Sequence, residues 1–195
     1  MANLITLDEY KTSGKIESTK DDSRLNTIIT SVSQLVKTYC NNSFVDYNST
    51  NKVEYFNNHF SVSSIQLSES PLLTVVSVKE RTGIASAYKT LTVNSDYYID
   101  LATDSIYRSN GSNGYTSYPI GPGAVEVTYT AGYSSCPSDL KLAVIDLITY
   151  YHKDEHKERK VMGGASIQNS ASTTQTNNVA FPDHIKRVLD LYKVY

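Results

Sequence analysis

The 195-residue sequence lacks tryptophan, has only two cysteines and carries almost no excess charge. Its 18 basic and 20 acidic side chains give a net charge of −2, which excludes a strongly basic surface for nucleic acid or an anionic membrane. No apolar run is long enough to span a bilayer, and the first residues lack the pattern of a secretion signal. These absences predict cytoplasmic synthesis, no membrane insertion and no sequence-specific nucleic-acid binding.

Motifs for catalysis or metal binding are also missing. The sequence has no G-x-S-x-G elbow and no glycine-rich loop with phosphate-binding spacing. His152 and His156 have the i, i+4 spacing that a zinc site can use, but Lys153 stands where a zincin motif needs glutamate. Cys40 and Cys136 lie too far apart for a C-x-x-C pair and are interpreted as small buried apolar residues. The sequence therefore predicts no enzyme, no metal and no cofactor.

The clearest pattern that is present is a one-sided helix from Arg24 to Cys40. Its apolar residues follow the i, i+3, i+4, i+7 spacing: Leu25, Ile28, Ile29, Val32, Leu35, Val36 and Tyr39. Asp21 and Asp22 precede it, and acidic residues with cap oxygens favour a helix start. Asn41 is predicted to end the helix.

Residues 51–133 change character, because Val, Ile, Thr and Tyr become frequent between short polar breaks. Strands are predicted at VEYF from Val53, SIQL from Ser64, LTVVSVKE from Leu73, YYID from Tyr97, SIY from Ser105 and VEVTYTA from Val125. Pro122-Gly123 suits the centre of a type II turn. The many tyrosines suit either a packed sheet or an interface.

Helical spacing returns after Tyr133, with Leu140, Ala143, Val144, Leu147, Ile148 and Tyr151 on one side, and it is predicted to run into HKDEHKERK. Val161–Phe181 is uncharged and polar, and is predicted to be a mobile linker. Pro182 then opens a short helix. The predicted organisation is α+β: an N-terminal helical part (1–50), an inserted antiparallel β-module (51–133), a second core helix (134–160), the linker (161–181) and a C-terminal helix (182–195).

Several segments in this order resemble the head-tail connector, or adaptor, family of tailed phages, in its longer form with a β-insertion. They are LVKTYCNNSF, SPLLTVVSVKE, YYIDLATDSIY, VEVTYTAGYSSCPSDLKLAVIDLITYY and a final P-x-x-I-x-x-x-L-x-x-Y. The most specific piece is T-A-G-Y followed by P-x-D-L-K-x-A. The resemblance implies a virion protein of the neck, assembled in the host cytoplasm. It implies a ring, commonly a dodecamer, under the portal protein, which extends the DNA channel and provides a platform for the next neck or tail protein.

The last helix is the candidate partner interface, through Ile185, Val188, Leu189 and Tyr192. A helix this short needs cover for its apolar side, either on the portal or in the core of its own subunit, and the sequence leaves both open. Two alternative functions also stay open. One is another neck component, such as a stopper or tail-completion protein, and the other is a glycan-binding module that uses exposed tyrosines of the β-module.

Overall fold

The computed structural model describes residues 2–112, 114–154, 159–162, 165–168 and 181–194, with 159–162 and 165–168 described as backbone only. The helices are α1 (Leu7–Gly14), α2 (Asp22–Cys40), α3 (Ser138–His152) and α4 (Asp183–Leu191). The strands are β1 (Lys52–Asn58), β2 (Ser64–Gln66), β3 (Leu72–Glu80), β4 (Lys89–Thr90), β5 (Tyr97–Asp100), β6 (Ser105–Arg108), β7 (Gly121–Ala131), β8 (Arg159–Met162) and β9 (Ala165–Gln168). The predicted α+β class is confirmed.

The chain forms two compact units. Apart from the last two residues, unit 1 comprises Met1–Asn41 and Ser135–Lys193, and unit 2 comprises Asn42–Ser134. Unit 1 is therefore built from both ends of the chain. The sequence placed the inserted β-module at 51–133, whereas unit 2 begins at Asn42, because the residues before β1 pair with the end of β7 through the Tyr133 N–H to Phe44 O bond of 2.7 Å.

The core of unit 1 comes from the predicted helix faces. In α2 and α3 the residues with less than a tenth of their surface exposed include Leu25, Ile29, Val32, Val36, Cys40, Leu140, Ala143, Val144, Leu147 and Ile148. α2 packs against α3 and α4, and α3 also packs against α4. Because burial follows the helical period, the apolar spacing alone determined which sides of these helices meet.

Two helix boundaries differ from the sequence prediction. α2 begins at Asp22, and the side chain of its N-cap residue Asp21 makes no capping hydrogen bond. The carboxylate of Asp22 forms an ion pair with the ammonium group of Lys11 at 2.9 Å. α3 ends at His152 and does not continue into the charged segment, because Asp154 takes a left-handed φ of 56° and Arg159 begins β8.

The short helix α1 was not predicted. Thr6 caps it, since its hydroxyl accepts from the backbone of Glu9 at 3.2 Å and Glu9 accepts from the backbone of Thr6 at 2.8 Å. This capping box fixes the helix start with two hydrogen bonds. Inside α1, Tyr10 is the buried residue, so the helix has too little apolar periodicity to be recognised from its sequence.

Unit 2 contains a four-stranded antiparallel sheet in the order β1-β7-β3-β4 and a three-stranded sheet in the order β2-β6-β5. The central strand β7 alternates as predicted, with Val125, Val127 and Tyr129 fully buried and Glu126 and Thr128 partly exposed. The buried side chains of both sheets share one core. Strand β4 was not predicted, because two residues are too few to show the alternation of apolar and polar side chains that marks a strand.

β3 carries two irregularities in its pairing with β7. Leu73 and Val76 are extra residues in the register, and both are exposed, at 42% and 54%. Bulges of this kind bend a strand and free an edge from regular pairing. Pro122-Gly123, predicted as a turn, lies inside β7, where Gly123 takes a φ of 57° at the irregular start of the strand.

The predicted mobile linker Val161–Phe181 falls largely outside the described residues. Within the part that the structure describes, Val161 and Met162 end β8, Ala165–Gln168 form β9, and the two strands pair antiparallel. The sequence analysis predicted no strands here, because the segment lacks the β-branched and aromatic alternation typical of a sheet.

Candidate functional site

The candidate partner interface on α4 lies against helices of its own chain. Ile185 and Leu189 are almost completely buried, whereas Val188 and Tyr192 are half-buried. The Tyr192 hydroxyl donates to Asp139 Oδ1 of α3 at 2.6 Å. Of the two covers that the sequence left open, the described residues place this side of α4 in the core of unit 1.

The outward side of the same helix pair is apolar and carries charges of both signs. Leu142 of α3 is 61% exposed and Leu191 of α4 is 79% exposed. Asp139 and Asp146 are exposed and share the face of Leu142, because positions 139, 142 and 146 follow the helical period. The hydrogen bond from Tyr192 holds the pKa of Asp139 below its usual value, so this carboxylate stays charged. On α4, Leu191 shares its face with the exposed His184 and Arg187, because positions 184, 187 and 191 also follow the helical period.

A second apolar surface lies at one end of the larger sheet of unit 2. Phe60 is 69% exposed, Ile84 74% and Ile120 59%. They belong to loops that the antiparallel register brings to the same end: Asn58 pairs with Gly121, and the loop after β3 starts beside the beginning of β7. We call the loops 59–63, 81–88 and 115–120 the tip.

Hydrogen bonds of Arg81 hold its own loop, 81–88, against the start of β7. The guanidinium donates to the carbonyl oxygens of Gly123 and Ile84 at 3.0 Å and of Pro122 at 3.1 Å. It also lies over the ring of Tyr88, 4.9 Å from the ring centroid, and the Tyr88 hydroxyl donates to Gly123 O at 2.6 Å. A loop fixed in this way presents Ile84 with little conformational entropy left to lose on binding.

The ionisable side chains of the tip, tyrosines apart, are all basic. Its three loops contain no aspartate or glutamate, and Arg81 and His59 are their basic residues. The Asn58 side chain ties the first loop to the third by donating to Pro119 O at 3.0 Å. The sequence analysis missed the tip, although Phe60 and Ile84 stand out as large apolar residues within serine-, glycine- and asparagine-rich loops.

The buried charged groups of unit 2 are arranged for stability. Arg108 donates to both carboxylate oxygens of Glu80, at 3.0 and 2.8 Å. This hydrogen bonding raises the pKa of Arg108. Glu69 accepts from Lys52 at 2.9 Å and from the backbone and hydroxyl of Ser43 at 2.9 and 2.8 Å. These ion pairs and hydrogen bonds fix both carboxylate side chains in place within the fold of unit 2.

The two cysteines are buried, as predicted. Burial raises the pKa of Cys40 to about 12 and that of Cys136 to about 11. Thiols with such pKa values are poor nucleophiles at neutral pH. The Cys40 thiol donates to the backbone carbonyl of Leu189 at 3.5 Å, so it has a structural contact.

The histidine pair of the sequence analysis is only half described, since His156 lies outside the described residues. Nδ1 of His152 is buried and has no hydrogen-bond partner. Across the described part of the chain, no three His, Cys, Asp or Glu side chains form a group that could hold a metal. Over those same residues, no helix combines the length and hydropathy needed to cross a membrane.

Comparison with known proteins gives matches over most of the chain. A family model described as head completion protein matches residues 3–195. The head completion protein of Escherichia phage T5 is 28% identical over 112 residues, which is 56% of this chain and 60% of that protein. The chain thus matches less than two thirds of the length of this curated relative.

Two solved structures share the fold. A chain of the neck of an empty gene transfer agent particle, computed with C6 symmetry, matches with a TM-score of 0.62 at 14% identity, covering 98% of this chain and 90% of that one. A chain of the neck of the native particle, computed with C12 symmetry, matches with a TM-score of 0.60 at 15% identity, covering 100% of this chain and 96% of that one. At these identities the likeness shows a common fold.

Proposed function

The chain belongs to the head completion protein family, and from this premise we propose that it is a structural protein of the neck of a tailed-phage-type particle. The observation that carries the proposal is the family match over residues 3–195. The family is a structural one, so the chain is not an enzyme. A structural role accounts for the absence of catalytic motifs from the sequence.

Within the neck, we propose the role of an adaptor that forms a ring under the portal protein. The C6 and C12 symmetries belong to the neck particles with the similar fold, and they support a ring for this chain. A ring subunit needs two different side surfaces that meet around a closed circle. The ring would extend the DNA channel and provide a platform for the next neck or tail protein, first in the host cytoplasm and then in the virion.

The alternative within the same class is a stopper or tail-completion protein. The helical unit 1, built from both chain ends, favours the adaptor, because the segments that resemble the adaptor family include α2, α3 and α4. The alternative would place the chain below an adaptor, out of contact with the portal. Cross-linking mass spectrometry of purified particles separates the two, since only an adaptor gives cross-links to the portal.

Docking of Pro182–Tyr195 on the portal also remains a proposal. Because Ile185 and Leu189 are buried in unit 1, the side of α4 left for a partner is the outward one, with His184, Arg187 and Leu191 exposed. A change there should affect assembly without unfolding the subunit.

The function is tested with particles produced in cells where the gene is inactivated. We expect DNA-filled heads that carry no tails, and we expect purified protein added to these heads to bind them and allow tail joining. Tailed, infective particles formed without the protein would contradict the proposal. Heads that bind the protein but gain no tails would place it in the neck and remove the platform role.

A further inference from the structure

The two outer edges of the larger sheet of unit 2 differ in how well they are protected against further pairing. On the β3 side, bulges at Leu73 and Val76 interrupt the strand, and β4 covers its last two residues. On the other side, β1 pairs with β7 in unbroken register from Lys52 to Phe56, and no strand among the described residues lies beyond it. A regular, uncovered edge of this kind can accept a strand from another chain.

The hydrogen bonds of the sheet show which backbone groups face this open edge. The Arg81 N–H donates to Ala124 O at 2.9 Å on the β3 side of β7. Because the backbone groups of successive residues point to opposite sides of an antiparallel strand, those of Val127 point to β1, where Val127 pairs with Glu54. The N–H and C=O groups of the next residue along β1, Val53, therefore point away from β7 and toward the open edge.

The two-stranded sheet of β8 and β9 also has one unprotected edge. Among the described residues these two strands pair only with each other, and a sheet of two strands is marginal by itself in water. β8 contains Arg159 and Lys160, and charged residues discourage pairing at an outer edge. The sequence of β9, Ala165–Gln168, is uncharged. A further strand is therefore expected to join this sheet at β9.

We propose that β9 of one copy pairs with the outer edge of β1 in a second copy of this chain, so that the two sheets become one continuous sheet across the contact. Main-chain hydrogen bonds provide the affinity of such a strand addition. The contact joins two different surfaces, so it can repeat from copy to copy until it closes a ring. This inference rests on the proposed function, because it assigns the contact between ring neighbours.

The other edges of a second copy suit β1 less well. Pairing of β1 with β1 is symmetric and uses both edges in a single pair, so it cannot build a ring. The β3 edge is bent by its bulges and does not match a regular strand over its length. β2 and β5 belong to a sheet that already shares the core of unit 2. The sheet that lacks a neighbouring strand is that of β8 and β9.

A proline at position 53 tests the edge, because it removes an N–H group that points away from β7. Proline is tolerated at edge positions of this kind, so Val53→Pro should keep the fold, and thermal unfolding checks this. Val53→Thr keeps the N–H group and is the matched control. Each variant is supplied from a plasmid in cells whose own gene is inactivated, and quantitative mass spectrometry measures the chain in purified particles. We expect incorporation to fall about tenfold for Val53→Pro and to stay within about twofold for Val53→Thr.

Cysteine cross-linking identifies the strand that occupies the edge, and it does not depend on the proline variant. One chain carries Val53→Cys, and a second chain carries a cysteine at one of the four positions of β9. The two chains are produced together, and purified particles are oxidised mildly. The native cysteines are buried, so we expect a disulfide-linked dimer only where β9 lies beside β1. Leu73→Cys, exposed on the bulged edge of β3, is the matched control and should give no dimer with the same partners.

Three outcomes would overturn the inference while leaving the chain in the particle. If Val53→Pro enters particles like the unmodified chain, the edge accepts no strand. If no cysteine of β9 links to Val53→Cys, the edge is either empty or occupied by a different protein. If the disulfide forms only within a chain that carries both cysteines, β9 completes the sheet of its own copy. Absence of the unmodified chain from purified particles would instead refute the proposed function, and the ring contact with it.

Discussion

At the scale of single residues, Gly132 is the described glycine at which an added side chain would meet the closest backbone atom. It has a φ of 95°, and a Cβ atom there would overlap the carbonyl oxygen of Phe44. We expect Gly132→Ala to lower the free energy of unfolding by about 2 kcal/mol or more, because the side chain meets fixed backbone in an unfavourable conformation. Urea unfolding measures this change.

Gly83 supplies the control. A Cβ there would lie 3.1 Å from Ser86 Oγ, a side-chain atom that can move. Gly83→Ala should change the free energy of unfolding by less than about 0.5 kcal/mol. Equal destabilisation by the two substitutions would show that the close approach of Gly132 to Phe44 is not the cause.

The cysteines give a second prediction at this scale. Burial raises the pKa of both thiols, to about 12 for Cys40 and about 11 for Cys136, so almost no thiolate exists at pH 8. The folded protein should therefore not react with a thiol reagent, and both cysteines should react in denaturant. Mass spectrometry after a short exposure to iodoacetamide identifies the labelled residue. Rapid labelling of either cysteine in the folded protein would contradict the prediction.

At the scale of elements, α4 is the helix whose apolar side lies inside its own unit. Because Ile185 is 1% exposed inside unit 1, Ile185→Asp would bury a carboxylate without a partner. We expect the free energy of unfolding to fall by about 3 kcal/mol or more, and we expect Cys40, whose thiol bonds to the Leu189 carbonyl, to become reactive. Thermal unfolding and iodoacetamide labelling measure the two effects.

Arg187→Asp is the matched variant on the exposed side of α4. It should change the free energy of unfolding by less than about 0.5 kcal/mol, and Cys40 should stay protected. If Ile185→Asp were as stable as Arg187→Asp, the apolar side of α4 would be uncovered in the free subunit and available to a partner.

The elements also show how far the sequence determines the fold. α2 and α3 could be predicted, because one-sided burial leaves a helical period in the positions of Leu25, Ile29, Leu140 and Val144. α1 could not, since hydrogen bonds of a capping box hold it and its apolar contacts are few. The prediction of a turn at Pro122-Gly123 was wrong, because a glycine in the left-handed conformation can also stand at the irregular start of a strand.

The candidate site was harder to predict than the fold. The apolar spacing of α4 predicts that Ile185 and Leu189 are buried, but it does not indicate whether they pack against their own chain or another one. The tip needs three loops distant in sequence, and the register that brings them together comes from long-range strand pairing. Only the order of segments pointed to the neck, and that came from a family resemblance.

At the scale of the whole molecule, unit 2 should fold by itself. The chain enters and leaves it at neighbouring points, since Tyr133 N–H donates to Phe44 O at 2.7 Å and Ala131 N–H donates to Tyr47 O at 3.0 Å. We expect the fragment 42–134 to give a β-type circular dichroism spectrum and one cooperative thermal transition, because its core draws on residues of unit 2 alone.

The shorter fragment 52–134 is its control. It lacks Phe44 and Tyr47, which accept these bonds, and Ser43, whose backbone and hydroxyl donate to Glu69. It should unfold at a clearly lower temperature than 42–134. Equal stability of the two fragments would show that the residues before β1 do not belong to the folded unit, and failure of both to fold would contradict the prediction.

The nearness of Phe44 and Tyr133 also affects the order in which the chain becomes folded. During synthesis α2 leaves the ribosome long before α3 and α4, so its apolar side waits uncovered. If unit 2 folds first, it replaces a long flexible connection by two points held together, and the entropy lost on closing the helical core becomes that of a short loop. A substitution that weakens unit 2, such as Gly132→Ala, would then also delay unit 1 and prolong the time in which α2 can aggregate.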